Sequence, residues 1–207
     1  MTAPPTLRPR LAARALAEDP HLGPWIARIG AVRIPHEATP PFAYLARAIC
    51  YQQLAGKAAR TIHGRFVEAL AGDVRPESVL LAPDEALRAA GLSRNKLAAI
   101  RDLAAKAASG EVLLDDLHLQ TDEEVVGRLT RVRGIGVWTA QMYLLFRLRR
   151  PDVWPAGDLG VRAGYARIHG LSGLPTEKEI LTLGDPYRPW RSAAAWYCYR
   201  ALETETP

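Results

Sequence analysis

Apolar residues recur along almost the whole chain at the spacing of an α-helix that buries one face. Between 41 and 54, Phe42, Leu45, Ala46, Ile49 and Cys50 follow the i, i+3, i+4, i+7, i+8 order. The same period returns between 188 and 201, in Trp190, Ala193, Ala194, Tyr197, Cys198 and Ala201. Thr121, with Glu124 three residues on, makes a capping box that opens a helix through Val125, Val126 and Leu129. Pro83 suits the first turn of another helix, and Gly91 its end. No segment alternates with the period of two that a half-buried strand requires. The pattern predicts an all-α fold of about ten short helices.

The breaks between these stretches are short, so no flexible linker, repeat or low-complexity tract divides the chain. Residues 1–10 read as a loose arm, and 151–158 (PDVWPAGD) as the most conspicuous irregular connector. A hydrophobic fraction of 48% in 207 residues supports one large domain or two small lobes sharing a cleft. The net charge of +5 leans towards an anionic partner. Cys50 and Cys198 are the only cysteines, too few for an iron–sulfur cluster or a four-cysteine zinc site. Both read as reduced, half-buried thiols of a cytoplasmic protein. No apolar signal core or membrane-length run is present, so a membrane partner is not expected.

Chemistry concentrates first at RVRGIGVWTA, residues 131–140. Gly134-Ile135-Gly136 separates the capped helix from a second helical run, Val137 to Leu148. Two glycines let the backbone approach another object and leave amides at a helix start without intrahelical partners. Those amides suit a phosphate oxygen; Arg131 and Arg133 add positive charge, and Thr139 offers a hydroxyl in the first turn. A dinucleotide fingerprint is excluded, because no strand precedes the glycines and no third glycine follows at the right spacing. A plain turn between packed helices explains Gly-x-Gly equally well, so a second landmark is needed. Asp158, in WPAGDLGVRAG, follows Pro155 and Gly157 and precedes the pattern Leu159, Arg162, Ala163. It is placed as a helix N-cap, and amides at a helix start stabilise a negative charge there.

Gly134-Ile135-Gly136-x-Trp138-Thr139-Ala140, with Asp158 twenty residues after Trp138, resembles the helix-hairpin-helix DNA glycosylase superfamily. The Trp after the glycines resembles its alkylation-repair branch, the 3-methyladenine DNA glycosylase II or AlkA-like enzymes. Ala48-Ile49-Cys50-Tyr51-Gln52-Gln53-Leu54 with Lys57, Gly91-Leu92-Ser93 with Lys96, and Pro189-Trp190-Arg191-Ser192 are similar as well. The likeness runs from about residue 40 to 200.

The resemblance implies one glycosylase domain over 1–207, in the compact form without an N-terminal β-domain. Two helical lobes would flank a cleft, with the helix-hairpin-helix at about 121–149 and an Asp loop at 151–160. It implies base excision: an alkylated base is flipped from double-stranded DNA and its N-glycosidic bond hydrolysed, leaving an abasic site. Asp158 would stabilise the oxocarbenium-like sugar and orient water. An alkylated purine is cationic and leaves readily, so it needs an aromatic surface more than a strong acid. Trp138 and Trp190 are the first candidates for that surface, with Tyr187 and Phe42 behind them. Leu54 resembles the family's apolar wedge, Gln53 would face the orphaned partner base, and Lys57, Arg60 and Lys96 would hold phosphates beside Arg133, Gly134, Ile135, Gly136 and Thr139.

The chain departs from the family pattern at two places. Strand-cutting relatives carry a Lys where Trp138 stands, and none of Lys57, Lys96, Lys106 and Lys178 takes that place. A Tyr is frequent in the alkylation branch where Met142 stands, with Tyr143 next to it, which bears on pocket shape. No side-chain metal site or cofactor is expected; a monovalent cation at the backbone of Gly134 and Gly136 is the one ion to consider. The expected protein is a monomer in the cytoplasm, associated with the nucleoid in a bacterium. Two other readings compete: a non-catalytic helix-hairpin-helix DNA-binding protein, which needs no Asp158 or wedge, and a bifunctional oxidised-base glycosylase/lyase.

Overall fold

The structure, a computed structural model, describes residues 4–207, which hold twelve α-helices and no strand. They form two compact units, Ala38–Ala140 and Pro4–Glu37 together with Gln141–Pro207. In chain order, α1 (Pro9–Leu16) and α2 (Leu22–Ile29) belong to the second unit. The first unit holds α3 (Pro41–Tyr51), α4 (Gly56–Ala69), α5 (Pro76–Leu81), α6 (Asp84–Ala89), α7 (Arg94–Ala108) and α8 (Asp122–Leu129). The division falls within α9 (Val137–Met142), which runs on as a π-helical segment, Tyr143–Arg147. The second unit closes with α10 (Leu159–His169), α11 (Glu177–Leu183) and α12 (Arg191–Glu203).

In the first unit all five residues of the α3 stripe are buried, and α3 packs on α4 and α7. α7 offers Leu97, Ile100, Leu103 and Ala104 as its own buried stripe. Its N-cap is Ser93, whose hydroxyl accepts the Lys96 N–H at 3.3 Å. Arg101 of α7 reaches back to the carbonyls of Val79 and Ala82 and to Asp84, closing the end of α5. The Thr121 box forms as expected at the start of α8. A second box, Thr176 with Glu179, starts α11 with the same residue pattern.

The second unit is organised around α12, against which α1, α2 and α10 all pack. Ala193, Ala194, Ala195 and Ala201 are buried along it. Alanines leave room for backbones to approach, and α10 uses that room fully. A Cβ added at Gly164 would lie 2.1 Å from the carbonyl oxygen of Cys198, so helix meets helix backbone on backbone.

The expectation of a loose arm over residues 1–10 does not hold for the described part. Leu7 is buried, its N–H donates to the carbonyl of Arg149 at 2.6 Å, and α1 begins at Pro9; residues 1–3 of that arm lie outside the described residues. The helix expected from Val137 to Leu148 is α-helical only to Met142. From Tyr143 the hydrogen bonds lengthen by one residue, as in Leu148 N–H to Tyr143 O at 3.0 Å. Pro83 precedes α6 as its N-cap and is not inside it. Among the described residues no helix is long and apolar enough to cross a membrane.

The α10–α12 contact is the most demanding in the second unit. Gly164→Ala drives a methyl into main-chain atoms that no rotamer change can move. We expect a loss of stability on the order of 3 kcal/mol, measured by denaturant unfolding; a variant as stable as the parent overturns this packing.

Candidate active site

The expected residues divide between the two units. On the first, Gly134 and Gly136 are exposed at the bend between α8 and α9, and Gly134 takes the left-handed conformation, φ +76°. Ile135 is buried beneath them, its N–H bonded to Val132 O at 3.1 Å. It therefore anchors the bend; its side chain is not available to a partner. Among the described residues, neither the Gly134 nor the Gly136 amide N–H has an acceptor.

Three side chains that sequence reasoning passed over brace this bend. Asp102 of α7 accepts the Arg133 N–H at 2.7 Å and the Lys106 ammonium at 3.0 Å. Lys106 also donates to Arg131 O at 2.6 Å. Burial pulls the Asp102 carboxyl upward, but the Arg133 amide and Lys106 outweigh it and hold it below the usual carboxylate range. An Asp and a Lys four apart on a helix look like an ordinary surface pair, so the sequence carries no sign of this clamp. The third brace is Gln52, whose amide nitrogen donates to Gly134 O at 3.0 Å and to Thr139 Oγ1 at 3.3 Å. Thr139, expected to face phosphate, is buried and engaged by Gln52.

Gln52 thus ties the hairpin to the turn that follows α3. In that turn Gln53 has φ +55°, and Leu54 next to it is 38% exposed. A large apolar side chain beside a strained backbone position is consistent with a presented wedge. Lys57, Arg60 and Arg133 have exposed side chains. Lys96 does not belong with them: its ammonium donates to Cys50 O at 2.8 Å, capping the end of α3. Partial burial lowers its pKa, while the neighbouring Cys50 thiol is pushed up to about 12 by its own burial. Phe42 is also placed elsewhere, buried at the start of α3 beside a groove lined by Val74, Pro76 and Leu114. Trp138, in the first turn of α9, is 46% exposed.

On the second unit Asp158 caps α10: Oδ1 accepts the Val161 N–H at 3.0 Å, and the residue is 8% exposed. The loop leading to it is pinned at several points. Asp152 takes a two-pronged ion pair from Arg191, Nε–Oδ1 2.7 Å and Nη2–Oδ2 2.9 Å, and a further contact from Arg188 at 2.9 Å. Ser192 accepts the Val153 N–H at 2.9 Å and donates its own N–H to Pro151 O at 3.0 Å. Trp154 is buried with its indole N–H on Ile180 O at 2.7 Å. Arg191 and Ser192, noticed in the sequence as part of a motif, hold the Asp loop against the start of α12.

Beside Asp158 stand Met142, expected at the pocket, and two residues assigned to no site, Tyr199 and Phe146. The Tyr199 ring lies over Gly160, where an added Cβ would stand 2.9 Å from the ring and 3.0 Å from Asp158 Oδ1, and its hydroxyl donates to the Met142 sulfur at 3.8 Å. Phe146 follows, its ring 6.2 Å from that of Tyr199. Met142, Phe146 and Tyr199 are all partly exposed. They make a soft, aromatic surface next to a carboxylate, suited to a flat cation. Trp190, half-buried, stands at the N-cap of α12.

Two expected pocket residues are corrected. Tyr187 is only 4% exposed, and its hydroxyl is bonded to His169 Nε2 at 2.7 Å within a cluster of Trp154 and Tyr165. Tyr143, 2% exposed, is turned into the core by the π-helical segment that begins with it. Aromatic composition alone cannot separate a ring in a core from a ring on a surface.

A loop-pinned carboxylate beside an aromatic surface, and a glycine hairpin braced for close approach, belong to one kind of helical protein. Residues 46–189 match the model of the HhH-GPD superfamily of base excision DNA repair proteins, and the chain belongs to that superfamily, in its compact 3-methyladenine DNA glycosylase form. It is 36% identical over 168 residues to DNA-3-methyladenine glycosylase 1 of Schizosaccharomyces pombe, covering 79% of this chain and 73% of that one. The structure of a Schizosaccharomyces pombe 3-methyladenine DNA glycosylase in complex with abasic DNA superposes with a TM-score of 0.85 at 33% identity, over 95% of this chain and 100% of that chain. A DNA-3-methyladenine glycosidase from Bacillus halodurans gives a TM-score of 0.84 at 33% identity, covering 99% of this chain and 94% of that one.

The hairpin makes a prediction of its own. In Gly134→Ala the new Cβ meets Ala99 Cβ at 3.0 Å and keeps an unfavourable φ of +76°, a strain of about 1–2 kcal/mol. Binding to intact and abasic duplexes should weaken by the same factor, since phosphate contacts carry no damage information. Titration of both duplexes by fluorescence anisotropy checks this. Loss on only one of them gives the bend a different role.

Proposed function

We propose that this chain removes alkylated bases from double-stranded DNA by hydrolysing the N-glycosidic bond, leaving an abasic site, and that Asp158 is the group on which the reaction turns. The observation that carries the reading is the placement of Asp158. It is a buried carboxylate held by a helix start, with a polarizable, aromatic surface of Met142, Phe146 and Tyr199 at its side. As the C1′–N bond breaks, the electron pair leaves with the base and positive charge builds on the sugar. A fixed anion near C1′ lowers the energy of that state more than that of the substrate. Water then adds to C1′ and gives up a proton, and the carboxylate orients it. A base alkylated to a cation departs neutral, so protonation of the leaving group is unnecessary.

The first unit supplies the grip. The hairpin amides of Gly134 and Gly136 and the exposed Lys57, Arg60 and Arg133 take phosphates. Leu54 enters the stack, with Gln53 beside it for the partner base, and Trp138 and Trp190 present indoles for stacking. Trp138 stands where an amine would be needed for a Schiff base with the sugar, which supports base removal without strand cleavage. The DNA is the partner, and the enzyme acts on it as a monomer.

Two experiments test this. Asp158→Asn should abolish release of free base from methylated duplex DNA, with a loss on the order of 10²-fold or more, and leave affinity for abasic DNA largely intact. If turnover stays near normal, Asp158 is only a helix cap and the mechanism is wrong. Leu54→Ala should slow single-turnover release most for a well-paired lesion and least for the same lesion unpaired, because unstacking costs about a few kcal/mol only in the former. Equal loss on both removes the wedge assignment from Leu54.

A further inference from the structure

We infer that Gln52 is a positioning residue that sets how far Leu54 enters the base stack, by fixing the 52–54 turn to the hairpin that grips the backbone. This rests on the proposed roles of Leu54 and of the hairpin amides, and extends them to a side chain bonded within the protein.

All the groups concerned lie in the first unit. The carboxamide nitrogen of Gln52 donates to Gly134 O at 3.0 Å and to Thr139 Oγ1 at 3.3 Å. A side-chain amide has two N–H donors, and here both go to the one bend. The acceptors lie on either side of Gly136, one before α9 and one in its first turn, so the turn is held against the bend at two points. Thr139 is buried, which makes it a firm anchor. Gly134 joins two tasks in one residue. Its amide N–H has no acceptor among the described residues, while its carbonyl takes Gln52. The atom proposed to hold a phosphate and the atom that holds the turn therefore belong to the same residue.

On the other side of this tie the chain has little slack. Gln52 closes α3 through its own N–H on Ile49 O, and the Leu54 N–H bonds back to Tyr51 O, each at 3.3 Å. Between them Gln53 holds φ +55°, a conformation that persists only where its surroundings enforce it. Leu54 thus stands two residues from the tie on a tightly turned segment. Successive bases stack about 3.4 Å apart, so a wedge set slightly too high or too low meets a base and not the gap. The hairpin does not depend on Gln52 for its own shape, since Asp102 and Lys106 hold its Arg133 N–H and Arg131 O from α7. Loss of the tie is therefore felt at the turn and not at the grip.

The test is Gln52→Met in the full chain, which keeps the length of the side chain and removes its donors. Single-turnover release is measured from a duplex carrying 7-methylguanine opposite cytosine, and from one carrying the same lesion unpaired, as a single-base bulge. The rate on the paired lesion should fall roughly fivefold, within the range of one net hydrogen bond, and the rate on the bulge should stay within about twofold of the parent. Affinity for intact duplex and the melting temperature should stay at parental values. Gln52→Glu, which keeps the shape but sets a carboxylate against Gly134 O, should lose more on the paired lesion than Gln52→Met. With Leu54→Ala already present, Gln52→Met should cost nothing further. A parental rate on the paired lesion in Gln52→Met overturns the inference. So does equal loss on both substrates, a parallel fall in affinity or melting temperature, or additive loss in the double variant, since each marks support of the fold or the hairpin. Failure of the underlying reading shows separately and removes the inference with it, as a parent that releases no base or a Leu54→Ala variant that loses equally on both substrates.

Discussion

The contact of α10 with α12 at Gly164 is the constraint on which the second unit depends. Because the main chains touch, the two helices have one relative placement, and the residues that flank the contact inherit it. Asp158 stands one residue before α10, and Tyr199 one residue after Cys198 on α12. A looser helix pair would lift the Tyr199 ring away from Gly160. The same α12 begins with Arg191 and Ser192, which grip the incoming loop at Asp152 and Val153. One helix therefore holds the Asp loop at its entry and packs Tyr199 over Gly160, beside Asp158, at its exit.

The first unit is braced by a different logic. Its exposed elements, the 52–54 turn and the glycine bend, are short and irregular, and each would be mobile without support. Support comes from polar side chains bonded to backbone: Lys96 on the end of α3, Asp102 and Lys106 on the strand of chain before Gly134, and Gln52 between the turn and the bend. These groups carry charge or amide capacity, yet their partners are carbonyls and N–H groups of the protein itself. Backbone groups that lie outside helices must find partners, and here those partners also set the spacing of the turn and the bend. Leu54, Gln53 and the two glycines remain exposed.

Much of this was legible in the chain. The 3.6 period placed the buried faces of α3 and α12, Thr121 placed the start of α8, and the order of glycine bend, Trp138 and Asp158 pointed to the family. These are local properties: a buried stripe, a cap or a tight bend needs only neighbours in sequence. The same local reading misjudged Tyr187, Tyr143, Phe42, Thr139 and Lys96. Each has the right chemistry for a binding site, and burial or a bond elsewhere in the fold takes each one up.

The sequence by itself determined that the protein is all-helical, that a hairpin and an N-cap aspartate are its chemical landmarks, and that a tryptophan, not a lysine, stands at position 138. Only the tertiary structure decided which aromatic rings remain accessible, that Asp102 and Lys106 serve the hairpin, and that Tyr199 packs over Gly160 beside Asp158. A period of 3.6 says that a side chain lies on a buried face but not what it meets there. The approach of Tyr199 to Gly160 joins residues thirty-nine positions apart. It exists because two glycines, Gly160 and Gly164, remove the atoms that would have kept their helices apart.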